Sequence, residues 1–151
     1  MLDISREFVR RWSAIYDKQY RGGSDEKEEN IIREWLSHLP EPKYLTKDFF
    51  VRLGRWKTKR QTHRYQENDE ALVKEATALA YNVSDEHLKL HVLTVLKGVG
   101  VPVASTILHF LEPDNFPIFD VRVRSSLKKA GVWSRDVDDA SNEAWHDYVA
   151  I

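Results

Sequence analysis

The chain of 151 residues contains no cysteine at all. This absence excludes disulfide bonds, a thiol nucleophile, a zinc site with cysteine ligands and an iron–sulfur cluster. No apolar run approaches the roughly 18 residues of a membrane span, and the N-terminal MLDISREFVRRW lacks the apolar core of a signal peptide. We therefore expect an intracellular, cytoplasmic protein with one domain over residues 1–151, for which 42% hydrophobic residues suffice to build a core.

Acidic residues are missing from two segments, residues 52–64 and residues 121–135, although the net charge of the chain is only −1. Their cations are Arg52, Arg55, Lys57, Lys59, Arg60 and Arg64 in the first segment, and Arg122, Arg124, Lys128, Lys129 and Arg135 in the second. Two interpretations stay open. The segments form one basic face for a polyanion, or they are ordinary solvated helix faces.

Apolar residues recur at helical spacing through most of the chain, between short breaker sequences. The spacing predicts helices over residues 3–20, from Ser24 or Asp25 to the PEP sequence at 40–42, from Thr46 onward, over 69–81, from Ser84 to a glycine turn, over 102–111, from Asp120 to Gly131, and from Ser141 to the chain end. Polar residues at these starts are typical N-caps, and Glu28 is placed for a capping box with Asp25. Only two short segments, YLTKDFFV and PIFDVRV, are compatible with β-strands, so we predict an all-α fold.

The sequence LKGVGVPVA at residues 96–104 places a Gly-Val-Gly turn between two apolar helices. Such a turn leaves N–H groups uncovered at the start of the second helix, where the helix dipole also favours an anion. By itself, the pattern also fits an ordinary tight turn. Asp120 follows Gly100 by 20 residues, as an isolated carboxylate within PIFDVRV.

Taken together, L-x-G-V-G-x-x-x-A, an apolar helix, a proline-containing loop and an apolar-Asp-x-x-V sequence resemble the helix-hairpin-helix (HhH-GPD) DNA glycosylase superfamily. The resemblance covers about residues 84–130, with the hairpin motif at about 84–111 and the Asp-bearing helix at about 120–130. It implies an all-α, multi-helix fold, double-stranded and damaged DNA as the partner, a role in base-excision repair, and a location at the nucleoid or in the nucleus.

The resemblance also implies roles for individual residues. The backbone at Lys97, Gly98, Val99 and Gly100 would hold a DNA phosphate, and the hairpin carbonyls would bind a monovalent or divalent cation. Asp120 would be the catalytic carboxylate, which stabilises positive charge on the sugar of a flipped-out nucleotide as the base leaves. A plain N-cap role for Asp120 stays open beside the catalytic one.

Members of the superfamily that also cut the DNA strand carry a nucleophilic lysine two residues after the second hairpin glycine. This chain has Pro102 at that position, so the resemblance implies no AP lyase step through it. It implies instead a monofunctional enzyme that hydrolyses the N-glycosidic bond of a damaged or mismatched base. No cofactor is expected apart from the hairpin cation.

Cations and an aromatic residue alternate in RLGRWKTKRQTHR, a pattern typical of contact with phosphates and bases. We expect Trp56 to line a base pocket, with burial of Trp56 in the core as the alternative. Arg122 could instead form a structural ion pair with Asp120. The DNA contacts predicted outside the hairpin are Arg55, Lys57, Arg60, Arg122 and Arg124.

His87 and His91 lie four residues apart, as in a metal pair on one helix face, but no third ligand is evident and we predict no metal site there. Two other functions stay open: a non-catalytic DNA-binding module, and a helical protein-interaction domain in which the hairpin serves only packing. Salt-sensitive DNA binding distinguishes the DNA-binding module from the interaction domain. A function that depends on Asp120 distinguishes an enzyme from both.

Overall fold

The computed structural model of the protein describes residues 5–39 and 41–151, and within these ranges the chain is helical with no strand. The helices are α1 Arg6–Tyr20, α2 Ser24–Leu36, α3 Lys47–Lys57, α4 Thr62–Gln66, α5 Glu70–Asn82, α6 Glu86–Leu93, α7 Val101–Leu111, α8 Val121–Lys129 and α9 Asn142–Val149. A short 3-10 helix, Lys59–Gln61, lies between α3 and α4. The all-α prediction is therefore confirmed. No helix in these ranges is long and apolar enough to cross a membrane.

Helix α7 is the centre of the core. Its sequence, VPVASTILHFL, is apolar on nearly every side, and a helix of that kind is stable only when it is surrounded. Helices α2, α3 and α6 contact α7, and α5 packs along α6. By contrast, α1 lies at the periphery, with the side chains of Val9 and Trp12 more than half exposed.

Several helix starts agree with the caps predicted from the sequence. Thr46 accepts a hydrogen bond from the N–H of Phe49 at 3.4 Å and begins α3. Asp120 caps α8, and Ser141 caps α9 through the N–H of Ala144 at 3.1 Å. These residues satisfy main-chain donors that the first turn of a helix leaves unpaired.

Two predicted caps are wrong by one or two residues. Gly23 precedes α2, in place of Ser24 or Asp25, and Glu28 forms an ion pair with Arg52 rather than a capping box. The cap of α6 is Asp85 instead of Ser84. The first residues of the predicted helix 3–20, and Pro40 of the PEP sequence, lie outside the described residues.

Aromatic side chains from α9 and from the segment after α8 pack on the loop that follows α7. The ring of Phe119 contacts Tyr148 edge-on, with centroids 5.0 Å apart, and it also meets Trp133 and Trp145. The hydroxyl of Tyr148 donates to the carbonyl of Ile118 at 3.1 Å. This cluster fixes the main chain immediately before Asp120.

Candidate nucleic-acid interface

The Gly-Val-Gly turn requires its first glycine for two physical reasons. Gly98 has φ +85°, in the left-handed region that favours glycine. A Cβ placed there would lie 2.8 Å from Cδ1 of Tyr65, whose side chain is fully buried. Gly100, in contrast, is extended at φ −103°, and a Cβ at that position would come no closer than 3.8 Å to Pro102. The turn therefore depends on Gly98 for its shape, whereas Gly100 leaves open space at the surface.

Asn68, a residue outside the turn, holds the turn in place through side-chain hydrogen bonds. Its Oδ1 accepts from the N–H of Lys97 at 2.8 Å, and its Nδ2 donates to the carbonyl of the same residue at 3.1 Å. The side chain of Asn68 is 2% exposed, so these bonds compete little with water. The two-point contact fixes the orientation of the main chain just before Gly98.

Three main-chain N–H groups at the turn have no acceptor within the described part of the chain: those of Gly98, Gly100 and Val101. The N–H of Val99, which the sequence assigned to phosphate binding, instead donates to the carbonyl of Leu96 at 3.1 Å. Unpaired amides at the start of a helix, together with the helix dipole, favour an anion. The turn therefore has the donors that a phosphate requires.

A buried serine connects the hairpin to the residue before Asp120. The hydroxyl of Ser105 donates to the carbonyl of Pro102 at 3.0 Å and accepts from the N–H of Phe119, also at 3.0 Å. Ser105 lies five residues after Gly100, about 7.5 Å along the helix axis. The first turn of α7 and the start of α8 are thus held side by side.

Both carboxylate oxygens of Asp120 have partners. Oδ1 accepts from the N–H of Arg122 at 2.8 Å, and Oδ2 accepts from Nζ of Lys57 at 2.7 Å. The side chain of Asp120 is 32% exposed and that of Lys57 is 13% exposed. This carboxylate is consequently an N-cap and half of an interhelical ion pair, while one edge still reaches solvent.

The surroundings of Asp120 lower its pKa below the ordinary aspartate value. Partial burial acts to raise the pKa, but the hydrogen bond from Lys57 and the N–H groups of Arg122 and Val123 outweigh it. Asp120 is therefore ionised at neutral pH. In the other direction, burial and the charge of Asp120 raise the pKa of Tyr148 to about 12, so that its hydroxyl stays protonated.

Arg124 departs from the sequence-based expectation of a DNA contact. It is 3% exposed, its guanidinium lies 4.1 Å from the centroid of the Phe119 ring, and it donates to the carbonyl of Asp139. Burial lowers the pKa of Arg124, with Asp120 among the acids that oppose this shift. A side chain enclosed in this way cannot reach a phosphate, so Arg124 is a second, fixed cation near Asp120.

Residues 57–68, which we call the connecting segment, touch both the turn and the carboxylate. Lys57 at its start pairs with Asp120. Tyr65 and Asn68 near its end contact Gly98 and Lys97. The basic segment seen in the sequence therefore runs between the two features that the sequence singled out.

An open cleft of about 1370 Å³ lies beside this region, bounded by the α1–α2 turn, α3 and the start of α8. Its lining includes three cations, Arg55, Lys59 and Arg122, which make no ion pair within the described residues. The same lining contains six acids, Asp17, Asp25, Glu26, Glu28, Glu29 and Asp48. Asp120 is not among the residues that line this cleft.

The remaining predicted contacts fall in different environments. Trp56 is half-buried, packs edge-on against Phe110 with centroids 5.0 Å apart, and also borders the cleft. Arg60 is exposed in the 3-10 helix. Lys97 is exposed and pairs loosely with Glu67 at 3.4 Å. The structure thus brings Lys57, the turn and Asp120 together. The face of Trp56 that borders the cleft lies apart from the carboxylate of Asp120.

A third histidine, His146 of α9, packs against His87 with ring centroids 3.5 Å apart and ring planes tilted by 38°, and Asn142 approaches His91. Within the described residues, no group of three or more His, Asp or Glu side chains is arranged to hold a metal ion. The contact joins α6 to α9.

Comparisons with known protein families, with curated proteins and with solved structures find no match for this chain.

Sequence reasoning missed Tyr65, Asn68, Ser105 and Tyr148. Each acts through a partner at least 14 residues away, such as the 29 residues between Asn68 and Lys97. One signal was present, because a polar Ser-Thr pair inside the apolar run of α7 indicates side chains with buried partners.

Proposed function

We propose that this chain is a DNA-binding protein that acts as a monofunctional DNA glycosylase, with Asp120 as its catalytic carboxylate. The hairpin turn would bind a backbone phosphate, and the cations around it would bind neighbouring phosphates. The observation that supports the proposal most directly is the buried Ser105 bridge, which holds the start of α7 beside the start of α8. A phosphate on the turn and a sugar at Asp120 can then belong to one DNA strand.

The chemistry follows from the charge of the carboxylate. Loss of a base from its sugar develops positive charge on the sugar ring, and an ionised carboxylate nearby stabilises that charge. Asp120 is ionised at neutral pH, and the main-chain N–H of Arg122 fixes the orientation of its carboxylate. A water molecule then attacks the sugar carbon, and one proton from the water is passed to solvent or to the departing base.

The phosphate site is supported by the three unpaired N–H groups of Gly98, Gly100 and Val101. The cation that the resemblance implies also has suitable ligands, because the carbonyl oxygens of Gly98 and Val99 accept no hydrogen bond within the described residues. These oxygens would hold it, and the bound cation would add positive charge beside the phosphate. Outside the turn, the accessible cations of the two basic segments include Arg55, Lys59, Arg60 and Arg122.

The test uses a short duplex that carries a cationic pyrrolidine abasic-site analogue, compared with the same duplex undamaged. The wild-type protein is expected to prefer the analogue. Asp120→Asn should abolish the preference, because asparagine keeps the N-cap but carries no charge. Equal binding of both duplexes by wild type, unchanged in the variant, would rule out a working glycosylase site.

The hairpin is tested separately with two variants at Gly100. Both Gly100→Asp and Gly100→Asn fit the N-cap position of α7, and they differ in charge alone. We expect the aspartate variant to weaken binding of undamaged duplex by about tenfold relative to the asparagine variant, because a carboxylate would face the phosphate. Equal affinities would show that no phosphate binds at the turn.

A second candidate function is a DNA-binding module without catalysis. The engagement of both oxygens of Asp120, by a main-chain N–H and by Lys57, favours it. On this alternative the carboxylate only joins α3 to α8. Wild-type binding that is salt-sensitive but indifferent to the analogue would identify this function.

A further inference from the structure

The ion pair between Lys57 and Asp120 raises a problem for the proposed function. The ammonium group lies 2.7 Å from Oδ2, whereas the N–H of Arg122 donates to Oδ1. A positively charged sugar at the same oxygen would meet a like charge at close range, which is strongly unfavourable in a partly buried site. The sugar and Lys57 therefore cannot share Asp120.

We infer that Lys57 is a displaceable counter-ion of Asp120, which a positively charged sugar must replace, and that it thereby sets the selectivity of the site. The inference rests on the proposed function. It assigns to Lys57 a positioning and specificity role in place of the simple phosphate contact expected from the sequence. Lys57 touches the carboxylate and stays outside the bonds that form or break.

Lys57 has the features of a group that can leave. It contributes a single contact to one oxygen of Asp120, on a flexible four-carbon stem. It is the last residue of α3, where the chain changes to an extended conformation at Thr58.

The other cation near Asp120 cannot leave in this way. Arg124 is 3% exposed, covers the ring of Phe119 and donates to the carbonyl of Asp139. Arg124 therefore keeps its positive charge near Asp120, whereas Lys57 contributes a positive charge that can move away. When the counter-ion is in place, Asp120 is neutralised and offers little to an uncharged nucleotide.

This arrangement makes the site selective for charge. An undamaged sugar has no positive charge with which to compete, so the ion pair persists. A cationic sugar gains the carboxylate only after Lys57 moves away. Removal of the Lys57 charge should therefore favour a cationic ligand specifically, while removal of any other nearby lysine should weaken all DNA binding alike.

The experiment measures the ratio of affinities for the pyrrolidine duplex and the undamaged duplex. With Lys57→Gln, we expect the ratio to rise by about tenfold over wild type, because the competing charge is gone. With Lys57→Arg, we expect the ratio to fall, because a guanidinium holds a carboxylate more firmly than an ammonium does. Lys59→Gln is the matched control: Lys59 is exposed and makes no ion pair among the described residues, so its loss should weaken both duplexes equally and leave the ratio unchanged.

A purely structural ion pair would give another result, in which Lys57→Gln lowers the melting temperature and leaves the ratio at the wild-type value. That result, or a ratio that falls in both variants, would overturn the inference. Failure of the proposed function itself is distinguishable, because wild type would then show no preference for the analogue and Asp120→Asn would change nothing. If Lys57→Gln does not fold, the opposite-signed effect of Lys57→Arg still decides.

Discussion

Four glycine-to-alanine variants separate backbone strain from steric overlap at the hairpin. At Gly98 both act together, because φ is +85° and a Cβ would lie 2.8 Å from the ring of Tyr65. At Gly22 only the conformation is unfavourable, since φ is +81° and no atom lies within 4 Å. At Gly54 only the overlap acts, with the same tyrosine ring at 2.7 Å, and at Gly100 neither does.

The magnitude for Gly98→Ala follows from these two causes. A left-handed conformation costs a non-glycine residue roughly 1–2 kcal/mol. Overpacking against a rigid core side chain adds about 1–3 kcal/mol. The Tyr65 ring cannot move aside, because Gly54 meets its opposite edge. We therefore expect Gly98→Ala to lower the free energy of unfolding by about 2–5 kcal/mol.

Urea denaturation, followed by tryptophan fluorescence, measures the four free energies under identical conditions. Gly22→Ala should lose about 1–2 kcal/mol, and Gly100→Ala should stay within about 0.5 kcal/mol of wild type. Gly54→Ala should lose less than Gly98→Ala, because alanine favours the helix that contains Gly54. If Gly98→Ala proves as stable as Gly100→Ala, the close approach of Tyr65 to the turn is wrong.

Three further predictions concern the supports of the site. Asn68→Ala should lower the free energy of unfolding by about 1–3 kcal/mol in urea titration, because the main-chain groups of Lys97 lose buried partners; an unchanged midpoint would contradict the contact. The lowered pKa of Asp120 gives stability that is present above its unfolded pKa, about 4, and is lost as pH falls through the folded pKa. In the Asp120→Asn variant, the melting temperature should therefore fall less steeply at acid pH than in wild type. An unaltered acid dependence of the melting temperature would refute this. The raised pKa of Tyr148, about 12, gives stability that is present below about pH 10 and is lost as pH rises toward 12. In the Tyr148→Phe variant, the melting temperature should therefore fall less steeply at alkaline pH than in wild type. An identical alkaline dependence would count against the burial of Tyr148 beside Asp120.

The sequence predicted those parts of the fold that depend on neighbours along the chain. Helical spacing and the caps Thr46, Asp120 and Ser141 are local, and they agree with the structure. The cap of α6 was misplaced by one residue, because the adjacent Ser84 and Asp85 are both good N-caps. The cap of α2 was misplaced because glycine, which offers no side-chain acceptor, takes the N-cap position there.

The candidate site was predicted only in outline. The spacing from Gly100 to Asp120 indicated the right segments, but the partners of those segments come from elsewhere in the chain. Lys57 pairs with Asp120 across 63 residues, a contact that no local pattern encodes. Arg124 lies within a run of cations that looks solvated, and only the packing of the Phe119 ring explains its burial.

The connecting segment has a consequence for any attempt to transplant the hairpin. A graft of α6, the turn and α7 into another scaffold would carry the open amides but leave behind Tyr65 and Asn68, which shape them. It would also leave behind Lys57, the counter-ion of the carboxylate. The smallest unit that keeps the turn, Asn68 and Asp120 in their relative places therefore runs from α3 through α9, because Tyr148 of α9 holds the main chain before Asp120. Recombination within that stretch would separate parts that depend on one another.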